Sequence, residues 1–367
     1  MSGAAPDAVP TAHLCATLAE WARIPPSATA LVFPDEGLSW ADLHAAIETR
    51  AREIAALPPG GLALRLANSA ALIVLVLACA RAGREAQVLD PAWPVATARA
   101  VRSRLAPALL VTDCRDDGAG EGDATGEGRG RGAPRVAIVP RPLRLADLPP
   151  LAPPFAEPLP APDPESAFYV GFTSGSTGMP KGYRRSQRSW LASFAAERAE
   201  FGIGPADVVA APGHFTHSLF LYAALAGLHA GARVVALPKF RPDAAARAIR
   251  EEEATVLYGV PTQIEMIVER AERTGETLPS LRLVLSSGAK WREGFGPRLA
   301  ARAPNALFAE FYGASELSFV ALARADEAVP PGSVGRPYPG VAVTIRDAAG
   351  PILCWGSRST PCASRLR

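Results

Sequence analysis

The segment Phe172-Thr173-Ser174-Gly175-Ser176-Thr177-Gly178-Met179-Pro180-Lys181-Gly182 alternates hydroxyl side chains with glycines and then presents one lysine after a proline. Glycine allows close backbone approach and positive φ angles. Successive amides in such a turn form an anion-binding concavity. Hydroxyls and one ammonium add donors for phosphate oxygens, so the chemistry indicated is polyphosphate binding. The pattern is not the Walker loop, which needs Gly-Lys-Ser/Thr; here Pro180 precedes Lys181 and Gly182 follows it. Lys181, Lys239 and Lys290 are the only lysines, and arginine carries nearly all other positive charge. A compact ammonium is therefore retained where a planar guanidinium would not substitute.

A second segment, Phe311-Tyr312-Gly313-Ala314-Ser315-Glu316, combines an aromatic ring, a glycine and a carboxylate. The ring suits stacking on a base, and the carboxylate suits magnesium, which takes one or two carboxylates together with phosphate oxygens. The 172–182 segment closely resembles the phosphate-binding signature of the adenylate-forming enzymes: acyl-CoA synthetases, luciferases and peptide-synthetase adenylation domains. The 311–316 segment resembles the Tyr-Gly-x-Thr/Ser-Glu motif of the same family. That resemblance implies nucleotide contacts by Thr173, Ser174, Gly175, Ser176, Thr177, Gly178 and Lys181. It also implies Tyr312 against adenine, Gly313 and Ala314 beside it, Ser315 near the α-phosphate and Glu316 on magnesium. Ser287-Gly288-Ala289-Lys290 resembles the adenine-side loop, with Gly288 and Ala289 as contacts. Pro212 to Ser218 resembles the border of the acyl pocket, with His214, Phe215 and Thr216 as pocket residues and Phe215 as the gate. Amino-acid-activating relatives carry an acidic residue where this chain has Thr216, which implies an acid without an α-amino group. Gly332 to Gly340 resembles the entry to a small β-rich subdomain. The resemblance covers Leu18 through Ile345.

These segments need elements to hold them. Ser39-Trp40-Ala41-Asp42 is a capping start to a helix reaching about Leu57, with Trp40, Leu43, Ile47, Ile54 and Leu57 at helical spacing. A strand at Ala63 to Leu66 precedes an all-apolar, interior helix from Ser69 to Ala82, and another strand follows at Leu109 to Val111. The strand Ala167 to Phe172 feeds the phosphate loop. Helices near Ser186 to Phe201, Ser218 to His229 and Thr262 to Thr274 alternate with strands at Val208 to Ala211, Arg233 to Leu237, Thr255 to Tyr258 and Leu283 to Ser286. This alternation predicts an α/β fold with mostly parallel sheets. Together with the resemblance it predicts stacked α/β subdomains and an incomplete β-rich third subdomain. Composition places a first subdomain at 1–115, a flexible Gly/Pro-rich linker at 116–164, a second subdomain at 165–330 and an atypical tail at 353–367, and the resemblance implies a partial β-rich piece at 331–352.

Net charge is +2 and nearly half of the residues are apolar, which gives no nucleic-acid footprint. Five scattered cysteines form no metal or disulfide pattern, and His214 and His217 lack a third ligand. The apolar run Ala70 to Ala80 is too short for a membrane span, and the N-terminus shows no signal peptide. A cytoplasmic protein is expected. The family's Thr-Gly-Asp ribose motif has no match, and no lysine follows Lys290 to act as the lid lysine. The tail after Asp347 reads as an out-of-frame or abnormal terminus, with a genuine short C-terminal tail as the alternative. The reaction implied is activation of a small-molecule carboxylate by ATP and Mg2+, then transfer to a thiol, with coenzyme A as co-substrate. The chain would turn over poorly, or act as a nucleotide-binding subunit completed by a separate lid domain or a homo-oligomer. Its apolar helices suit either a fatty-acyl tunnel or a compact aryl pocket.

Overall fold

The computed structural model describes residues 13–23, 26–117, 135–141, 143–173, 178–292, 294–346 and 352–354. After α1 (Ala16–Trp21) comes a hairpin of β1 (Thr29–Phe33) and β2 (Glu36–Ser39). The Ser39 hydroxyl accepts from the Asp42 amide and starts α2 (Trp40–Ala55), as the capping pattern predicts. Next come β3 (Leu62–Arg65), α3 (Ala70–Arg81), β4 (Ala86–Val88), α4 (Val95–Leu105) and β5 (Leu109–Thr112). Every residue of α3 from Ala70 to Ala80 is buried, as expected for a helix apolar on all faces. Then follow β6 (Arg135–Ile138), β7 (Ala167–Thr173), β8 (Lys181–Ser186), α5 (Gln187–Phe201), β9 (Val208–Ala211), α6 (Ser218–His229), β10 (Arg233–Ala236) and α7 (Pro242–Glu251). The remainder is β11 (Val256–Gly259), α8 (Pro261–Thr274), β12 (Leu283–Ser286), α9 (Phe295–Arg302), β13 (Leu307–Ala314), β14 (Ser318–Arg324), β15 (Arg336–Pro337), β16 (Thr344–Arg346) and β17 (Ile352–Cys354).

Among the described residues the strands form a six-stranded sheet ordered β6-β5-β3-β4-β7-β8 and a nine-stranded sheet ordered β15-β14-β13-β12-β11-β9-β10-β1-β2. A small β16-β17 pair is separate from both. Both large sheets are parallel at their centres and antiparallel where β8, β14, β15 and β2 close their edges. Period-2 alternation divides the strands between layers. Val209, Tyr258 and Leu285 face the main core shared with α3 and α6, whereas Ala210, Leu257 and Val284 face a second core that includes Ile249, Ile264 and Leu299. A smaller cluster of Ala63, Leu89, Val101 and Leu110 covers the other face of the six-stranded sheet.

Sheet membership crosses the compositional boundaries. β1 pairs in parallel with β10, Leu31 opposite Val234, so the first portion lends a hairpin to the later sheet. β7 pairs with β4, Ala86 opposite Tyr169, so the second portion lends β7 and β8 to the earlier one. The stretch read as a flexible linker also contributes structure. Asp117 is buried in an ion pair with Arg65 at 2.7 Å, and β6 runs in register with β5. Leu143, Leu148 and Leu151 are buried, and Arg50 and Glu53 of α2 bond the backbone of residues 148–151. Apolar side chains spaced among the prolines supply the anchoring that composition alone conceals. Residues 118–134 of that stretch, and the tail from 355, lie outside the described residues. No described helix is long and apolar enough to cross a membrane.

Candidate functional site

A cleft of about 950 Å³ lies where the two large sheets meet. Its lining draws on segments far apart in sequence: Thr173, Gly178 and Pro180 on one arm, Thr216 and His217 on another, Gly288, and Gly313 to Ser315. The core of the phosphate segment, Ser174, Gly175, Ser176 and Thr177, lies outside the described residues. Its flanks are in place, since Thr173 pairs with Lys181 across the β7-β8 ladder. Lys181 is exposed at the rim beside Pro180 and forms no ion pair among the described residues.

The opposite wall depends on a tight turn between β13 and β14. Their register shifts between Tyr312 and Gly313, and a Cβ on Gly313 would lie 2.2 Å from the Ser318 carbonyl oxygen. Only glycine fits that approach. Ser318 itself adopts φ 65°, a left-handed conformation uncommon for a non-glycine residue. Tyr312 is 57 % exposed and lies beside the lining residues Phe311 and Gly313 without lining the cleft itself. Ser315 shares a hydrogen bond of 2.8 Å with Ser218 at the start of α6. Glu316 is exposed and forms no ion pair among the described residues. A single open carboxylate suits Mg2+, which takes its remaining ligands from phosphate and water. No cluster of three metal-ligating side chains occurs among the described residues, so an all-protein metal cage is not built there.

Gly288 lines the cleft with φ 96°, and Ala289 beside it is exposed. Lys290 donates to the Ser333 carbonyl and lies 3.8 Å from Glu310, tying this loop to the 332–340 segment.

The 212–218 segment is arranged differently from the expectation. Phe215 is fully buried, edge-on to Phe33 at 6.3 Å, and does not line the cleft; Thr216 and His217 do. His214 lies behind them, half-buried, its Nδ1 2.9 Å from the Thr216 hydroxyl. Burial holds its imidazole below the ordinary range, so it is neutral near pH 7. The cause of this arrangement is Asn68, at the end of β3. Its buried amide donates to the carbonyls of Gly213 and Leu237 at 2.8 and 3.0 Å and accepts from the Phe215 amide at 2.9 Å. One side chain thus joins the two sheets and turns Phe215 inward.

Several lining residues carry no motif. Asp90 and Trp93 follow β4, and Trp93 packs edge-on against Phe172 at 5.2 Å. Arg65, paired with Asp117, donates to the carbonyls of Pro91 and Trp93 and holds that loop. Arg185 and Trp190 also line the cleft. Alternation along β8, with Tyr183 and Arg185 buried and Arg184 exposed, is the only sequence signal that would have turned Arg185 inward.

Two α/β layers meet at a cleft lined by a glycine-flanked arm and an aromatic–glycine–serine turn. The model of the AMP-binding enzyme family matches residues 18–354, and the chain belongs to that family. It is 33% identical over 338 residues to an uncharacterized acyl-CoA ligase, YhfT, of Bacillus subtilis, covering 91% of this chain and 67% of that protein. It is 33% identical over 183 residues to VraA of Staphylococcus epidermidis, provisionally named a long chain fatty acid-CoA ligase, covering 50% of this chain and 39% of that one. The inhibitor-bound N-terminal domain of FACL13 from Mycobacterium tuberculosis superposes with a TM-score of 0.80 at 20% identity, covering 93% of this chain and 86% of that one, a likeness of fold alone. The chain thus corresponds mostly to the large domain of its acyl-CoA ligase relatives, spanning about two thirds of YhfT.

Proposed function

We propose that this chain forms the nucleotide and acyl cleft of an ATP-dependent acid–thiol ligase. The observation that carries this reading is the convergence of Thr173, Gly178, Thr216, Gly288 and Gly313 to Ser315 on one cleft. In the reaction, a carboxylate oxygen of the substrate attacks the α-phosphorus of ATP, forming an acyl-adenylate and releasing pyrophosphate. A thiol, taken to be that of coenzyme A, then attacks the acyl carbon and releases AMP.

Lys181 and the amides around Gly178 would offset charge on the phosphates, and fixed donors of this kind act on charge that develops in the transition state. Glu316 would hold Mg2+, which supplies charge neutralisation on the phosphate oxygens. Tyr312 and Gly288 would hold the base, and Thr216 and His217 would border the acyl group. Thr216 in place of an acidic residue favours acids without an α-amino group.

The test is carboxylate-dependent exchange of labelled pyrophosphate into ATP, with nucleotide products identified. AMP and pyrophosphate as products support the reading, whereas ADP would replace it with phosphotransfer.

A further inference from the structure

Arg185 is 6% exposed and lines the cleft, yet no carboxylate pairs with it among the described residues. Its donors meet only neutral oxygens: the Ser189 hydroxyl at 3.1 Å and carbonyl at 3.5 Å, the Ser315 carbonyl at 2.9 Å and the Ser318 hydroxyl at 2.9 Å. Buried charges are ordinarily paired, because desolvation without a counter-charge is costly. Burial accordingly pulls this guanidinium below its ordinary range. The cleft's own acidic groups make no direct contact with it, although the charge of Glu316 reaches it. Asp90 caps the Ala92 amide at 2.8 Å, and Glu316 is exposed at the rim.

A second positive feature converges on the same place. Helix α6 begins at Ser218, whose hydroxyl meets Ser315, and the preceding His217 gives it no side-chain cap. The first turn of a twelve-residue helix carries partial positive charge and open amides. Two polar atoms of lining residues, Trp190 Nε1 and Tyr222 Oη, are also buried without a hydrogen-bond partner. This wall therefore carries buried positive charge that no carboxylate of the described residues contacts directly, Glu316 acting on Arg185 only from beyond ion-pair distance.

The same wall is closed to a long chain. Trp190 packs on Tyr222 at 5.4 Å, Tyr222 on Phe319 at 5.1 Å and Phe319 on Phe311 at 4.4 Å between ring centroids. Each ring is at most 8% exposed, so the aromatic layer behind Arg185 is continuous.

We propose that Arg185 is a specificity-determining residue that selects short acids carrying a second carboxylate, α,ω-dicarboxylic acids, for activation in this cleft. One carboxylate would react at the α-phosphate and the other would pair with the guanidinium, a charge-assisted contact that an aliphatic monoacid of equal length cannot make. This inference rests on the acid–thiol ligase reading.

The experiment is calorimetric titration of the full 367-residue chain, with Mg2+ and α,β-methylene-ATP present, against glutarate, pentanoate and octanoate. Glutarate is expected to bind about ten- to a hundredfold more tightly than pentanoate, the usual span for a charge-assisted contact. Arg185→Met should erase that difference by weakening glutarate alone, and Arg185→Lys should keep part of it. Melting curves report whether each variant is folded. If Arg185→Met is not folded, the wild-type ratio and Arg185→Lys decide. The inference is overturned if pentanoate or octanoate binds the wild type as tightly as glutarate. It is equally overturned if Arg185→Met weakens both five-carbon acids alike, or if the nucleotide analogue binds and no acid does. Failure of the nucleotide analogue itself to bind would instead remove the ligase reading beneath it.

Discussion

The rim and the wall of the cleft are built on opposite terms. At the rim, Lys181, Tyr312 and Glu316 are exposed, and neither charge has an ion-pair partner among the described residues. In the wall, Arg185, Trp190 and Tyr222, and behind it Asn68, are buried and held by hydrogen bonds or ring packing. A rim of free charges leaves its interactions for a ligand that arrives. A wall fixed in advance decides the shape and charge of what can enter. The division predicts that substitutions in the wall's packing register as lost stability, whereas substitutions at the rim, or of the wall's charged Arg185, register as lost binding.

The strongest challenge to that division is Trp190→Ala. Removing a fully buried indole at the meeting point of four aromatic rings should cost about 3–5 kcal/mol in denaturant unfolding. A loss below about 1 kcal/mol would show that the wall is loosely packed. Asn68→Ala comes next. It strands two buried carbonyls and one amide between the sheets, and about 2–3 kcal/mol is expected. It should also alter acid binding, because Thr216 and His217 depend on the same loop.

A third test uses pH. Glu197 is buried behind the wall, accepts a hydrogen bond from Tyr258, and has its carboxyl pushed up to about 8 by burial. The folded state therefore holds this proton at pH values where the unfolded chain has released it. Stability should fall as pH rises from about 4.5 toward 8, by about 2 kcal/mol between pH 6 and 8, and Glu197→Gln should flatten that part of the profile. A wild-type profile already flat over that range would contradict the assignment. The smallest effect on stability belongs to the rim. Lys181→Met should leave the unfolding midpoint unchanged while weakening ATP binding about tenfold, as calorimetry would show. A shift in the midpoint would mean that Lys181 is structural and would blur the division.

The same contrast explains what could be read from the sequence. Thr173, Gly178, Gly288 and Gly313 to Ser315 lie in short segments whose residue types singled them out, and the structure brings them to one cleft. Helix α3 was legible too, because an unbroken apolar run leaves no solvent face. Arg185 was not, since it follows another arginine in a polar strand and only the pleat turns one of the two inward. Phe215 looked like a gate by position, but the backbone bond from its amide to Asn68, 147 residues away, turns it into the core. Strand β6 was hidden beside a glycine-rich stretch, since its identity comes from pairing with β5. Long-range hydrogen bonds and strand phase are the information that local pattern does not carry.

The pairing of β1 with β10 reaches beyond the folded state. Leu31 and Val234 are neighbours in the sheet but are separated by about 200 residues of chain. During synthesis at about 5–20 residues per second, the amino-terminal hairpin leaves the ribosome roughly 10–40 s before its partner strand is made. Throughout that interval the edge of β1 that pairs with β10 stays open, although α3 already has α2 to pack against. The wait is set by topology, and a slow-codon pause before β10 would lengthen it.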